Sequence, residues 1–436
     1  MDTKPEVSIS DEGVIVNQAS AEKALIGVYD ATETSEGNAV TTFNNAADNV
    51  TRYDRPTTII PDLNPTGTDG GTGGTDLTGG SGYNSYYISI NRANSVIKGV
   101  LAIGDDKFQG NNKNRILAET YFLRALAYFE LARTFGSVPI VLEPSLATGI
   151  ALSPKEEVYQ RVGEDLDEAE RLFDNSFSDA GRSRASLWAV YALKARLYLY
   201  TEKWAQAEEY ASKVINHPSI RLSPVFSDFF TNPLSSEAIF ELVFNAADRN
   251  PFYTYFLTAS QGGRFYYIPN QDFVQELIDP ARGGERSKLV AVPEAGVPFY
   301  SIAEYGKQDG SSSIFVLRIA EQILIRAEAR LKKSPADLQG AIDDIDEIRK
   351  RAGVELIRNR ETRPGTQELL LIIENERRYE LAFEGHRYSD IIRTGRAPEV
   401  FGQYNDRYKD ERYWVFPFPH DATINDPDLI QPEVYR

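Results

Sequence analysis

Apolar residues recur at helical spacing through most of the chain. Between Asn111 and Phe135, alanines return every seven residues at Ala118, Ala125 and Ala132, with bulky apolar residues beside them. This spacing places the alanines on one helix face, where small side chains allow a second helix to approach closely. Similar periodicity predicts helices over residues 21–29, 83–103 and 154–173, the first of them capped by residues 17–20.

Two further stretches each predict a pair of helices joined by a short turn. One pair covers residues 186–200 and 204–215, and the other covers residues 319–331 and 335–351. In the first pair, Ala195, Trp204, Ala207 and Ala211 stand where a tetratricopeptide repeat places its small and aromatic packing residues. Pairs so far apart indicate degenerate repeats that are separated by an insertion. We therefore predict an all-α fold of tetratricopeptide-like helix pairs packed as an α-α superhelix.

The segment between the two pairs has a different pattern. Residues 238–244 alternate like a strand, and residues 245–315 are irregular and rich in Gly, Pro, Asn and aromatic residues. Helical scaffolds commonly carry their binding residues on such loops. The predicted regions are an N-terminal tether (1–18), an N-terminal helical region (19–244), a loop-rich, minor-β ligand-binding region (245–315) and a C-terminal helical region with a wrapping tail (316–436). A Gly/Thr/Asp-rich loop at 66–82 lacks the Gly-Lys-Ser/Thr of a phosphate loop.

Composition excludes several classes of function. The net charge is −17 and no basic stripe is present, which argues against a nucleic-acid-binding protein. The chain has no cysteine and only three histidines, far apart, so neither a disulfide nor a metal site nor a cofactor is predicted. No apolar run approaches the ~20 residues that a membrane helix needs.

An acidic cluster near the C-terminus has two interpretations. Glu376, Glu380 and Glu384 recur every fourth residue, so on one helix they would repel each other unless cations lie beside them. Arg377 and Arg387 are the nearest candidates in sequence. The cluster is either a carboxylate active site or a structural ion network, and we favour the network because Glu-x-x-His and HExxH spacings are absent. We predict no catalytic residues.

Aromatic residues point to a binding site for a flat ligand. The chain has 24 Tyr and 22 Phe, many of them in or beside the irregular segments. Sugar rings lie on aromatic faces while their hydroxyls bond to Asn, Asp and Arg side chains. The candidate ligand-binding residues are Tyr83, Asn84, Tyr86, Arg264, Tyr266, Tyr267 and Tyr300. For each ring, the alternative is that it covers the helical core.

Four stretches, taken together, resemble one protein family. They are AETYFLRALAYFELARTFGSVPIV (118–141), EEVYQRVGEDLDEAERLF (156–173), LRIAEQILIRAEARL (317–331) and NERRYELAFEGHRYSDIIRTG (375–395). Their order and sequence are similar to the SusD/RagB family of outer-membrane nutrient-binding proteins of Bacteroidetes. Tyr83 lies close to a position where the family often has an aromatic residue. The three tryptophans are not well placed for stacking, so that role would fall to Tyr or Phe.

The resemblance implies a non-enzymatic, surface-exposed lipoprotein of the outer membrane that takes part in polysaccharide utilization. Such a protein would bind oligosaccharide or polysaccharide and deliver it to a SusC-like TonB-dependent barrel. Peptide uptake on the same scaffold stays open, as does, from a different class, a secreted glycan-degrading enzyme. The family's signal peptide and lipidated cysteine are absent from the sequence. We expect Met1 and Asp2 to stand in place of the cleaved signal, so that membrane attachment would require the missing lipid.

Overall fold

The long helices pack largely in the order in which they occur along the chain. The computed structural model describes residues 15–54, 56–57, 82–145, 148–173 and 181–436. Its helices are α1 (Gln18–Ala46), α2 (Tyr83–Ala102), α3 (Asn112–Phe135), α4 (Lys155–Leu172), α5 (Leu187–Tyr200), α6 (Trp204–Ile215), α7 (Asp228–Thr231), α8 (Phe252–Phe256), α9 (Gln271–Ile278), α10 (Ile319–Lys332), α11 (Leu338–Ala352), α12 (Thr366–Glu380), α13 (Arg387–Arg393), α14 (Ala397–Val400) and α15 (His420–Asn425). Each helix from α1 to α5 packs on the helix that follows it in the chain. Helix α6 packs on α10, and α10 packs on α11 and α12.

The two predicted helix pairs are neighbours in space. Ala195 of α5 and Ala207 and Ala211 of α6 form a small cluster with Ile325 and Ala329 of α10. Small side chains at these positions let the three helices approach closely. The prediction of an all-α fold with tetratricopeptide-like pairs, split by an insertion, is confirmed.

Helix α1 is longer than its sequence pattern predicts. It begins as expected, because Asn17 Oδ1 accepts from the Ser20 amide at 3.0 Å and Ser20 Oγ accepts from the Asn17 amide at 3.1 Å. The predicted end at residue 29 is wrong, since the helix continues to Ala46. Its polar second half is stabilised by tertiary contacts: Asn44 Nδ2 donates to the Phe383 carbonyl. Periodicity within the helix cannot reveal such a partner.

The strands are short and pair in antiparallel fashion, most of them within the insertion or at its ends. The strands are β1 (Val50–Arg52), β2 (Val138–Pro139), β3 (Leu152–Ser153), β4 (Ala238–Leu242), β5 (Tyr267–Pro269), β6 (Val290–Ala291), β7 (Ser301–Ile302) and β8 (Ile314–Arg318), paired as β1–β5, β2–β3, β4–β8 and β6–β7. In β4–β8, Leu242 lies opposite Ile314 and Ala238 opposite Arg318, so the insertion leaves and rejoins the helices at one place. Both strands are buried throughout, which is why β4 does not show the half-exposed alternation that its sequence suggested. The division into regions 1–18, 19–244, 245–315 and 316–436 stays a prediction.

The acidic cluster belongs to a buried ion network. Arg318 Nη1 lies 2.9 Å from Glu380, and Arg318 Nη2 lies 2.6 Å from Glu384. Arg286 binds Glu376 at 2.5 Å and Glu380 at 3.1 Å. All five side chains are buried, so the carboxylates have lost their contact with water and are stabilised by these arginines instead.

The sequence predicted that one helix carries all three glutamates and that Arg377 and Arg387 are their cations, and this prediction is wrong in part. Helix α12 ends at Glu380, and the chain turns before Gly385, whose φ is +78°. The neighbouring arginines bind elsewhere: Arg377 pairs with Asp390 at 2.7 Å and Arg387 with Asp48 at 2.8 Å. The network therefore joins α12 to the insertion and to β8 instead of closing within one helix.

Candidate functional site

The β1–β5 pair brings distant aromatic residues to one surface. Arg52 lies opposite Tyr267 in the pair, and the Tyr53 amide then donates to the Tyr266 carbonyl at 2.9 Å. The Tyr53 ring lies 5.2 Å from Phe265 and meets the edge of Phe299 at 5.8 Å, measured between ring centroids. Tyr53 is 42% exposed, so part of its ring is available to a ligand.

A tight turn before β5 directs the next side chains. Gly262 has φ +88° and Phe265 has φ +52°, and the Phe265 amide donates to the Leu257 carbonyl at 2.9 Å. At Gly263 a Cβ would lie 2.1 Å from the Leu257 carbonyl oxygen, so only glycine fits there. The turn buries Phe265 and leaves Arg264 exposed.

Two tyrosines of α8 extend this surface. The Tyr255 ring lies 6.3 Å from that of Tyr266, and Arg264 Nη1 donates to the Tyr266 hydroxyl at 3.0 Å. Tyr253, Tyr255 and Tyr266 are all half-buried. We call the surface formed by Tyr53, Tyr253, Tyr255, Arg264, Tyr266 and Phe299 the aromatic face.

Polar groups lie at the border of the aromatic face. Arg52 donates two hydrogen bonds of 2.8 Å to Asp54. On the other side, Glu294 accepts from Thr258 Oγ1 at 3.0 Å and from Ser260. Sugar hydroxyls both donate and accept, so they need a mixture of this kind beside the rings.

Only part of the predicted site lies on this face. Arg264 and Tyr266 do, and Tyr300 is half-buried beside Phe299, directly before β7. Tyr267 is buried, with its ring against Tyr255 and Phe256, because successive strand residues point to opposite sides. Tyr267 therefore cannot present its ring to a ligand.

The predicted residues of α2 lie in another part of the fold. Tyr83 is 7% exposed, with Phe135 and Phe418 at 5.2 Å and 5.5 Å from its ring. Burial raises the pKa of Tyr83 above its usual value. Tyr86 is fully buried, and Asn84 is exposed on the first turn of α2. The two tyrosines are core residues, and the glycine-rich stretch before them lies, except for Gly82, outside the described residues.

Sequence reasoning missed the contributions of Tyr53 and Tyr255. Tyr53 reaches the face only through the pairing of β1 with β5, which are more than two hundred residues apart in sequence. The one signal in the nearby sequence was that Tyr53 stands between Arg52 and Asp54, which are close enough in sequence to form the ion pair that the structure shows.

A separate cleft of about 1230 Å³ lies between α4, α5, α13 and the C-terminal tail. None of the predicted ligand-binding residues lines it. Its rings are already engaged: Tyr159 is buried, and Trp414 Nε1 donates to the Tyr408 carbonyl at 3.0 Å. The aromatic face contains two of the predicted ligand-binding residues and the 42% exposed ring of Tyr53, and we take it as the candidate site.

The described residues also bear on metal binding and on membrane insertion. No group of three or more His, Asp or Glu side chains is placed to hold a metal ion. None of the described helices combines the length and the apolar character that crossing a membrane requires.

Two family models match most of the chain. The first, described as "SusD family", matches residues 243–434, and the second, described as "Starch-binding associating with outer membrane", matches residues 1–199. The chain is a member of the SusD/RagB family. The predicted resemblance is confirmed, and the two models together cover the residues of the aromatic face and leave residues 200–242 unmatched.

Individual SusD-like proteins are similar over most of their length. SusD-like protein P38 of Formosa agariphila is 26% identical and is covered to 94%, with 99% of this chain. SusD-like protein P2 of the same organism is 27% identical, over 79% of this chain and 78% of its own. Among solved structures, a laminarin-binding SusD-like protein has a TM-score of 0.79 at 22% identity, covering 96% of this chain and 100% of that one. This last likeness establishes the shared fold.

Proposed function

We propose that the protein binds oligosaccharide or polysaccharide at the aromatic face, without catalysis. The observation that carries this proposal is the grouping of partly exposed rings from β1, α8 and β5 beside the Arg264 guanidinium. Sugar C–H faces would lie on Tyr53 and Tyr266, and hydroxyls would bond to Arg264 and to the polar border. A family that includes a laminarin-binding neighbour supports a glucan as the first ligand to test.

Calorimetry with a panel of oligosaccharides and peptides tests the proposal. Laminari- and malto-oligosaccharides represent glycans, and tripeptides represent the alternative of peptide uptake. We expect Tyr53→Ala and Tyr266→Ala each to weaken glycan binding on the order of 3- to 10-fold, since one stacked ring contributes about 1 kcal/mol. The melting temperature should stay close to that of the wild type, because both rings are partly exposed.

Tyr404 provides a matched control. It is 44% exposed and lies in the C-terminal tail, and it is not one of the residues that form the aromatic face. Tyr404→Ala should leave glycan affinity unchanged. Binding of peptides alone, or equal glycan affinity in all three variants, would contradict the proposal, and release of shortened glycan products would contradict the absence of catalysis.

The partner and the location complete the proposal. We infer that the protein acts at the outer membrane, lipid-anchored and surface-exposed, and passes its ligand to a SusC-like TonB-dependent barrel. Support comes from the family model that is described as associating with the outer membrane. A gene for such a barrel beside this one, and co-purification of the two proteins from native membranes, are the expected results. Failure to co-purify with any barrel would count against the delivery step alone.

A further inference from the structure

Arg264 in the aromatic face and Arg249 beside it bind no carboxylate within the described part of the chain. Arg264 donates to the Tyr266 hydroxyl at 3.0 Å. The Arg249 guanidinium lies 5.7 Å from the Tyr253 ring, and its Nε donates to the Ala246 carbonyl at 3.1 Å. Among the described residues, neither guanidinium is ion-paired with a carboxylate. Both side chains are exposed, so their charge remains available to a ligand.

This arrangement stands out against the charge of the whole chain. The protein has 64 acidic and 47 basic residues, and its buried arginines bind carboxylates, as Arg286 and Arg318 do. An excess of acids makes carboxylate partners plentiful. An exposed arginine that lacks one, next to an aromatic ring, is therefore a candidate for recognising an anion from outside the protein.

The backbone holds both arginines beside Tyr253. The Arg264 amide donates to the Thr254 carbonyl at 2.8 Å, and the Asn250 amide donates to the Gly310 carbonyl at 2.9 Å. Hydrogen bonds from Thr254 and Arg249, followed by the charges of Arg249 and Arg264, lower the pKa of the Tyr253 hydroxyl. The Arg249 guanidinium lies 5.7 Å from the Tyr253 ring, and the Arg264 backbone is bonded to Thr254, the residue after Tyr253, so both arginines lie on one patch of the face.

Two carboxylates lie near this patch without binding either arginine. Glu294 accepts hydrogen bonds from Thr258 and Ser260. Asp248 lies near Glu33, whose pKa is raised to about 7 by burial and then by the charge of Asp248. Neither carboxylate neutralises the two arginines, although both would repel an anion on their own side of the face.

We propose that the aromatic face takes an anionic saccharide, with a sugar ring over Tyr253 or Tyr266 and a carboxylate or sulfate group on Arg249 and Arg264. The inference rests on the proposed function, since it requires glycan at this face. A guanidinium presents paired N–H donors that match a carboxylate or a sulfate ester, and such charge-assisted bonds are about twice as strong as neutral ones. Uronic acids and sulfated sugars share this chemistry.

Calorimetry with matched ligands tests the inference. Oligogalacturonate is compared with its methyl ester, which keeps the rings and removes the charge, and a sulfated oligosaccharide is compared with its desulfated form. We expect the charged member of at least one pair to bind about tenfold more tightly, with an affinity that falls as salt is raised. The pair that shows the preference identifies the anion as carboxylate or sulfate.

Variants separate the charge from the rings. Arg249→Gln and Arg264→Gln should each lose most of the preference for the charged ligand. Arg249→Gln should also bind the neutral ligand as the wild type does, because only Arg264 is proposed to bond to neutral sugar hydroxyls. Arg221→Gln is the control, because Arg221 is exposed, its side chain donates only to the Pro218 carbonyl among the described residues, and it is not part of the face. Equal binding of charged and neutral ligands would overturn the inference and leave glycan binding intact. Failure of every saccharide, neutral glucans included, would overturn both.

Discussion

Replacing Glu380 by glutamine should destabilise the fold strongly. The Glu380 carboxylate is fully buried and accepts from Arg318 Nη1 at 2.9 Å, from Arg286 Nε at 3.1 Å and from Arg351. Glutamine keeps the shape but removes the charge and turns an amide N–H₂ toward an arginine. Removing one partner of a buried ion pair costs about 3–5 kcal/mol.

The pKa of Glu380 gives a second route to this magnitude. Burial alone would raise that pKa, but Arg351, Arg318 and Arg286 lower it from 4.5 to about 2. A depression of this size corresponds to about 3 kcal/mol of stabilisation by the ionised form. Because the folded-state pKa lies below the unfolded one, this stabilisation is complete above about pH 5 and is lost as the pH falls toward 2.

Urea unfolding of the wild type and of Glu380→Gln, from pH 7 down to pH 3, measures the effect. We expect a difference in unfolding free energy of about 3 kcal/mol at pH 7 that narrows as the pH falls. Glu209→Gln, in an exposed pair with Lys213, should change stability by less than about 1 kcal/mol. A Glu380→Gln variant within that range, or a difference that is constant with pH, would refute the network as a source of stability.

Three further variants test a core ring, a buried carboxylate and the turn before β5. Tyr83→Ala should lower the unfolding free energy by about 3 kcal/mol or more and leave glycan affinity intact in the folded fraction, because the ring is core. Weaker glycan binding in calorimetry together with a normal melting temperature would contradict this. Burial raises the pKa of Glu241 to about 7, so its contribution to stability is lost as the pH rises from about 4.5 to 7. Glu241→Gln should therefore be more stable than the wild type at pH 8 and lose that advantage at pH 4.5 in urea unfolding. Gly263→Ala should lower both melting temperature and glycan affinity, since its Cβ would lie 2.1 Å from the Leu257 carbonyl oxygen; Gly365→Ala, where a Cβ meets open space, is the control.

Local sequence patterns predicted the helices well because the residues that indicate a helix lie within one short stretch of the chain. The spacing of Ala118, Ala125 and Ala132 indicated α3, and the small residues of α5 and α6 indicated their close packing. The ion network was predicted in the right place but with the wrong cations. Sequence spacing identifies neighbours on one helix, whereas Arg286 and Arg318 reach the glutamates from the insertion and from β8.

The site was harder to predict because its aromatic residues come from separate elements. Arg264 and Tyr266 were found, since the turn that exposes them is local. Tyr83 was placed at the site because it stands at a loop edge among aromatic and polar residues, close to a position where the family often has an aromatic residue, but the C-terminal tail covers it with Phe418. Tyr53 required knowledge of the β1–β5 pairing, which no short stretch of sequence contains.

The pairing of β4 with β8 has a consequence for how such a protein can change its ligand. Arg318 ends β8, begins α10 and binds Glu237, Glu380 and Glu384, so the point where the insertion rejoins the helices is fixed by the ion network. The distance between the two ends of the insertion is then set by the strand pair, whatever lies between them. Doubling the length of a flexible loop between fixed ends costs only about 0.6 kcal/mol. Loops of the insertion other than the segment that carries Arg286 can therefore be lengthened, shortened or exchanged for those of a relative while the helices keep their stability, and ligand choice can diverge without a new fold.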